Sequence, residues 1–113
     1  MAKDDYHVIV YQILAYLYVQ LKAGEKVDGK MLEPGSQYLN INDRYWTYII
    51  VNLVKMGFIT GPVITNPWGQ DTIINGLDDT QITPLGIEYL CENSFIEKAK
   101  KFLKDAKAIV PFV

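Results

Sequence analysis

Six polar side chains recur on one side of a predicted helix near the middle of the chain. They are Arg44, Tyr45, Thr47, Tyr48, Asn52 and Lys55. Arginine and asparagine side chains can read the edges of bases, whereas threonine and tyrosine can bond phosphates or touch thymine methyl groups. In a helix-turn-helix protein this is the helix face that enters the major groove of DNA. We therefore expect these six residues to be the DNA-binding residues of this helix.

Three further candidates lie in a turn that follows this helix. The segment Asn66-Pro67-Trp68-Gly69-Gln70 is rich in turn-forming residues, which predicts the tip of a β-hairpin. From that tip Asn66, Trp68 and Gln70 would reach the DNA backbone or minor groove. Exposed aromatic residues are also favoured in protein–protein interfaces, so a protein partner is the alternative to DNA.

The helix that positions the first six candidates begins after Asn42 and ends before Gly57. Asn42 is a good N-cap, Asp43 suits the positive end of the helix dipole, and Gly57 can adopt the left-handed conformation that ends a helix. Four apolar residues follow the i, i+3, i+4, i+7 spacing of one helical face: Trp46, Ile49, Ile50 and Leu53. This face must point inward, and we expect Leu53 to be deeply buried.

Residues 58–76 predict a hairpin directly after this helix. Phe58 to Thr65 is β-rich, Gly61-Pro62 predicts a bulge or an edge position within it, and Thr72 to Ile74 is the return strand. Gln81-Ile82 is a candidate for a further short pairing. A helix that runs at once into a hairpin is typical of the last core helix and wing of a winged helix-turn-helix domain.

The rest of the chain completes a single domain over residues 1–113. An apolar first helix runs from Asp4 or Asp5 to about Ala23, and Pro34-Gly35 restricts the second helix to a short, broken element. Residues 1–57 are thus expected to form a three-helix core and residues 83–108 two C-terminal helices. Thr83 is the N-cap of the first of these and Pro84 its first residue. The predicted class is α+β, mainly helical: a winged helix-turn-helix with a C-terminal helical extension.

The segment from Ile82 to Ser94 reads Ile-Thr-Pro-Leu-Gly-Ile-Glu-Tyr-Leu-Cys-Glu-Asn-Ser and is the most specific motif of the chain. With this segment and the Gly57-to-Gly61 step, the chain resembles the YjcQ family, small proteins of low-GC Gram-positive bacteria and their phages. The resemblance extends from Tyr6 to about Pro111. It implies a winged-helix fold and no established activity, and it is compatible with a small phage or host transcription regulator. The Pro34-Gly35 turn departs from the family pattern.

Catalytic and metal-binding patterns are absent from the sequence. The single histidine, His7, has no Cys, Ser or carboxylate partner at a spacing that would make a triad or a metal site. Asp78-Asp79 lacks the alternating oxygen ligands of a calcium loop and is better interpreted as a solvated turn. Neither a phosphate-binding glycine loop nor a Ser elbow occurs. We expect neither an enzyme nor a bound cofactor or metal.

Charge limits the DNA interpretation. The net charge is −2, residues 42–57 carry Asp43, Arg44 and Lys55, and residues 58–76 carry only Asp71. The helix and hairpin together are therefore neutral, although phosphate neutralisation supplies most nonspecific affinity for DNA. A neutral face favours weak or dimer-dependent DNA binding, or a protein partner. The lysine-rich last helix is interpreted as a solvated face.

Compartment and assembly follow from the remaining apolar and cysteine residues. One cysteine, Cys91, fits a reducing cytoplasm and a position near the core. The apolar stretch Val8 to Leu21 is too short to span a bilayer, so no membrane association is expected. The first helix, the last helix and the tail from Ile109 to Val113 offer more apolar surface than one small domain readily buries. A homodimer through the terminal helices is expected; the alternative is that the last helix folds back onto the first.

Overall fold

The mainly helical α+β class is confirmed by a computed structural model, which describes residues 1–36, 39–69 and 71–105. Its helices are α1 (Tyr6–Ala23), α2 (Asp43–Lys55), α3 (Pro84–Glu92) and α4 (Ser94–Asp105), and its strands are β1 (Ile59–Thr60), β2 (Val63–Thr65), β3 (Ile73–Asn75) and β4 (Gln81–Ile82). The predicted positions Gln70 and Ala106, and the tail 109–113, lie outside the described residues.

Helix α1 is the centre of the core. It is apolar nearly all round, and it buries nine residues against α3, α4 and β4. Gly24 ends it in the left-handed conformation (φ 69°), as the sequence predicted. No helix among the described residues combines the length and the apolar character that crossing a bilayer requires.

The second element of the expected three-helix core is only one 3₁₀ turn, Gly29–Leu32. The Asp28 side chain caps this turn by accepting a hydrogen bond from the Lys30 backbone N–H (3.0 Å). The indole N–H of Trp46 donates to the Leu32 carbonyl (2.6 Å), which ties the turn to α2. Residues 33–42 then lead to α2, a connection longer than the three- or four-residue turn of a helix-turn-helix.

Helix α2 has the boundaries and the inner face that its sequence predicts. The Asn42 side chain accepts a hydrogen bond from the Tyr45 backbone N–H (2.9 Å). Gly57 adopts φ 77°, and the Phe58 N–H reaches the Leu53 carbonyl (3.0 Å), which completes a Schellman motif. The four predicted inner residues are all buried, and Leu53 is 0% exposed.

The strands form two separate ladders of two strands each. β1 pairs with β4, whereas β2 pairs with β3 to make the hairpin. Gly61-Pro62 is therefore the point at which the chain leaves one ladder for the other, rather than a bulge within one strand. Gly61 is required there, because a Cβ at this position would lie 2.2 Å from the Asp79 carbonyl oxygen. The predicted pairing of Gln81-Ile82 is confirmed.

Helix α4 packs on α1 of the same chain. The spacing of its apolar residues predicts an inner face of Phe95, Ala99, Phe102, Leu103 and Ala106, and the observed face differs in part. Ile96, Ala99 and Leu103 are buried, whereas Phe95 is half exposed and lies against His7. Asn93 caps α4 in place of the expected Ser94, because its side chain accepts from the Phe95 and Ile96 N–H groups. Up to Asp105, α4 therefore buries its apolar face by folding back onto α1 of the same chain, which was the alternative to a dimer. The homodimer stays a prediction. Cys91, expected near the core, is exposed.

Candidate binding cleft between helix α2 and the hairpin

An open cleft of about 890 Å³ separates the first half of α2 from the hairpin. We call it the α2–hairpin cleft. Its lining residues are Asp43, Arg44, Thr47, Tyr48, Asn66, Asp71 and Thr72. The structure therefore brings together four of the predicted site residues, three from the helix and one from the hairpin. The volume is within the range of sites that hold a ligand or a protruding segment of a partner.

The charges of the α2–hairpin cleft do not favour an anion. Asp43 and Asp71 contribute two carboxylates and Arg44 one guanidinium. Within the described residues Arg44 forms no ion pair with either of them, so its guanidinium is available to a ligand. Between Lys55 and Lys98 the sequence has six Asp and Glu residues and no Lys or Arg. The hairpin consequently has no cation with which to contact phosphate.

Tyr45 is a structural residue rather than an open contact. It was expected on the solvent side of the helix, but it is half-buried and packs against the core. Its hydroxyl donates to the Asp4 carbonyl (2.7 Å), which fixes the segment before α1. Burial raises the pKa of the Tyr45 hydroxyl, and the Asp4 and Asp5 carboxylates raise this pKa further. The side chain is therefore neutral and already hydrogen-bonded.

Asn52 and Lys55 also lie outside the cleft. The Asn52 amide donates to the Tyr48 carbonyl one turn earlier (2.7 Å), so part of its hydrogen-bonding capacity is used within its own helix. Lys55 is exposed at the last residue of α2. Tyr48, which is 61% exposed, is the aromatic side chain that α2 contributes to the lining of the cleft.

The tip of the hairpin presents Trp68 almost completely to solvent. Its side chain is 96% exposed, and its backbone lies in the left-handed region (φ 51°, ψ 36°). A large residue other than glycine rarely adopts this conformation, which costs about 1–3 kcal/mol and is found most often at functional sites. Val63 and Ile73, also exposed, belong to the two paired strands behind the tip. The hairpin thus offers an aromatic and apolar surface.

Three cleft residues were not among the predicted site residues: Asp43, Asp71 and Thr72. Asp43 had been assigned to the helix dipole and Asp71 only to the charge balance of the hairpin. The alternation of side chains along the return strand could have placed Thr72 on the same face as Ile74, which packs against the core, but it does not account for Asp71, and the angle at which the hairpin leaves α2 is not a local property.

The described residues contain no group of three or more His, Cys, Asp or Glu side chains that could hold a metal ion. His7 is half-buried between two aromatic rings: it stacks on Phe95 (4.9 Å between centroids) and meets the edge of Tyr6 (5.2 Å). These contacts are those of a packed residue at the end of a helix.

Comparison with known proteins identifies the family of this chain, but it indicates neither an activity nor a partner. No curated protein and no solved structure shows significant similarity to the chain. Residues 11–109 match the family model described as YjcQ protein, which spans most of the sequence, and the chain therefore belongs to the YjcQ family.

Proposed function

We propose that this protein is a binding module on a winged-helix scaffold, and that helix α2 and the hairpin recognise a protein partner. The observation that carries the proposal is Trp68, a nearly fully exposed tryptophan held at the hairpin tip in a strained backbone conformation. A solvated tryptophan adds nothing to the core, whereas tryptophan is among the residues most enriched in the energetic centres of protein interfaces.

The surroundings of Trp68 support a protein partner over DNA. Tyr48 on α2 and Val63 and Ile73 on the hairpin are further exposed aromatic and apolar residues of these two elements. Two carboxylates flank the single guanidinium of the α2–hairpin cleft. A DNA backbone would be repelled by these carboxylates, and it would meet no Lys or Arg on the hairpin.

DNA binding is the second candidate, and one observation favours it. Arg44 is exposed on α2 with a guanidinium that no described carboxylate engages, and Thr47 and Tyr48 lie beside it in the cleft. This is a small set of base-reading and phosphate-binding groups. A protein of net charge −2 with this set would bind duplex DNA weakly and with a shallow salt dependence.

One crosslinking experiment tests the two candidates together. A photoreactive p-benzoylphenylalanine replaces Trp68 in the cells that make the protein, and a matched variant carries it at Lys101, an exposed position on α4. We expect a discrete adduct from position 68 that protease degrades and nuclease leaves intact, with no such adduct from position 101. A nuclease-sensitive adduct, or the same pattern from both positions, would reject protein recognition through the hairpin.

Titration with duplex DNA at low and moderate salt tests the second candidate directly. If α2 reads DNA, Arg44→Ala and Lys55→Ala should each weaken binding, whereas Lys30→Ala, which removes an exposed cation outside α2, should have a smaller effect. Absence of binding at low salt, or equal losses in all three variants, would exclude DNA recognition through this helix.

A further inference from the structure

A small, mainly apolar groove lies between the α2–β1 junction and α3. Phe58 stacks on Tyr89 of α3, with 4.5 Å between ring centroids and 26° between ring planes. Leu85, one turn earlier on α3, is 51% exposed. The groove has a volume of about 280 Å³, and Glu88, Glu92 and Asn93 form the rest of its lining. We call it the α3 groove.

The walls of the α3 groove are fixed by the fold. The Thr83 N–H donates to the Phe58 carbonyl (3.0 Å), and the Thr83 hydroxyl donates to the Gly57 carbonyl. Gly86 lets the Phe58 carbonyl approach α3, because a Cβ at residue 86 would lie 2.3 Å from that oxygen. The groove is therefore formed before a ligand binds, and binding costs little conformational entropy for ordering its backbone.

The charges around the α3 groove are all of one sign. Glu88 and Glu92 are exposed one helical turn apart, a spacing at which like charges repel and weaken the helix. In the described part of the chain neither carboxylate has a hydrogen bond or an ion pair. Burial raises the pKa of Tyr89, which keeps its hydroxyl neutral. The two carboxylates contribute nothing favourable to α3 and are free to meet a cation.

The size of the groove argues against a complete small ligand. A volume near 280 Å³ is at or below the lower limit of typical small-molecule sites and suits one anchoring side chain. Apolar anchors in such pockets carry much of the energy of protein interfaces, and charged groups at the rim add specificity.

We propose that the α3 groove binds a basic amphipathic segment of a partner protein, with an apolar side chain on Leu85, Phe58 and Tyr89 and Lys or Arg residues against Glu88 and Glu92. This surface is distinct from the α2–hairpin cleft, so the proposal does not depend on what that cleft recognises. The occupant follows from charge complementarity: an anionic rim around an apolar groove selects a cationic segment with an apolar anchor over an acidic or a wholly polar one.

Three synthetic helical peptides serve as probes. The first has a Leu stripe and Lys elsewhere, the second replaces every Lys with Glu, and the third keeps the Lys residues and replaces Leu with Ser. We expect the wild-type protein to bind the first peptide at least about tenfold more tightly than either of the others, as measured by calorimetry at physiological salt. Chemical-shift changes in the protein should centre on the backbone amides of α3, which separates this site from the α2–hairpin cleft.

Two variants place the interaction on the groove. Glu88→Lys/Glu92→Lys should weaken binding of the Lys/Leu peptide about tenfold or more, and Leu85→Ser should weaken it while leaving both carboxylates in place. The matched control, Glu25→Lys/Glu33→Lys, makes the same charge change at two exposed positions outside the groove and should bind as the wild type does. Thermal melts would verify that all variants are folded.

Several outcomes would overturn the proposal. Equal affinity for the Leu and Ser peptides would mean charge attraction without a groove. Equal losses in the test and control variants would mean a nonspecific effect of net charge. Failure to bind the Lys/Leu peptide would exclude this occupant, and if Glu88→Lys/Glu92→Lys then abolished self-association of the protein, the groove would belong to a second copy.

Discussion

The α2–hairpin cleft and the α3 groove share no lining residue, and they are built differently. The cleft is wide and polar, and the hairpin side of it pairs chiefly with itself, β2 with β3. The groove is narrow and apolar, and Thr83 and Gly86 lock α3 onto Gly57 and Phe58. The shape of the groove is therefore determined by packing contacts with the core, whereas the shape of the cleft is determined by the orientation of the hairpin relative to α2.

This difference predicts how substitutions behave on each side. Changes at Thr83 and Gly86, which hold α3 against Gly57 and Phe58, should reduce stability and binding to the α3 groove together, because the same contacts serve both. Changes at the hairpin tip should alter binding and leave stability nearly unchanged, because Trp68 touches almost nothing in its own chain. Stability measurements alone can thus separate the two surfaces.

The largest expected effect comes from the core that supports both surfaces. Leu53→Ala should lower the free energy of unfolding by about 2–5 kcal/mol, because a fully buried side chain is replaced by a cavity. Chemical denaturation would measure it, with Met56→Ala as the exposed control on the following turn. A Leu53→Ala protein as stable as wild type would refute the position of α2 in the core.

Gly86→Ala should lower the free energy of unfolding by about 1–3 kcal/mol, because the new Cβ would overlap the Phe58 carbonyl. The direction of this change is informative, because replacing glycine by alanine at an open helix position normally stabilises a helix by about 1 kcal/mol. Glu88→Ala on the same helix is the control. A stabilising Gly86→Ala would show that α3 does not approach β1 this closely.

Thr83→Ala should cost about 1–2 kcal/mol, because it removes the α3 cap to the Gly86 N–H and the bond to the Gly57 carbonyl. Ser94→Ala is the control: Ser94 is the first residue of α4, and the Asn93 side chain provides the cap there. Thermal melts of the two variants should differ clearly. Equal midpoints would contradict the role assigned to Thr83.

The smallest effect on stability is expected at Trp68. Trp68→Gly should be up to about 1 kcal/mol more stable than Trp68→Ala, because only glycine adopts φ near +50° without strain. Both variants should lose recognition by the hairpin tip. If Trp68→Gly were markedly less stable than wild type, the tryptophan would be part of the packed structure and the contrast between cleft and groove would fail.

Prediction from sequence worked best where the signal is local. The N-cap at Asn42, the C′ glycine at Gly57 and the inner face through Leu53 act within a few residues of one another, and all three are confirmed. The turn at Pro67–Gly69 and the Thr83 cap belong to the same class. Local hydrogen bonds and helical periodicity are encoded in adjacent residues, so they can be predicted before the fold is known.

Prediction failed where a distant partner decided the outcome. Gly61-Pro62 was expected to interrupt one strand, but β1 pairs with β4 rather than with the hairpin, which makes this dipeptide a passage between ladders. Tyr45 was expected on the solvent side of α2, yet it lies four residues before the buried Ile49, packs at the edge of the core and donates a hydrogen bond to the Asp4 carbonyl. On α4, Phe95 was expected on the inner face, but Ile96 is buried there and Phe95 is half exposed.

The sequence by itself determined the positions of helices α1 to α4, the caps at Asn42, Gly57 and Thr83, the hairpin tip and the shortage of positive charge from residue 56 to residue 97. Only the tertiary structure decided which side chains share a surface: Arg44 with Asp71 across the cleft, and Phe58 with Tyr89 in the groove. The physical reason is the range of the interactions. Helix capping and amphipathic periodicity act over about four residues, whereas a cleft or a groove forms when segments far apart in sequence bury apolar area together, and no local pattern encodes the angle at which they meet.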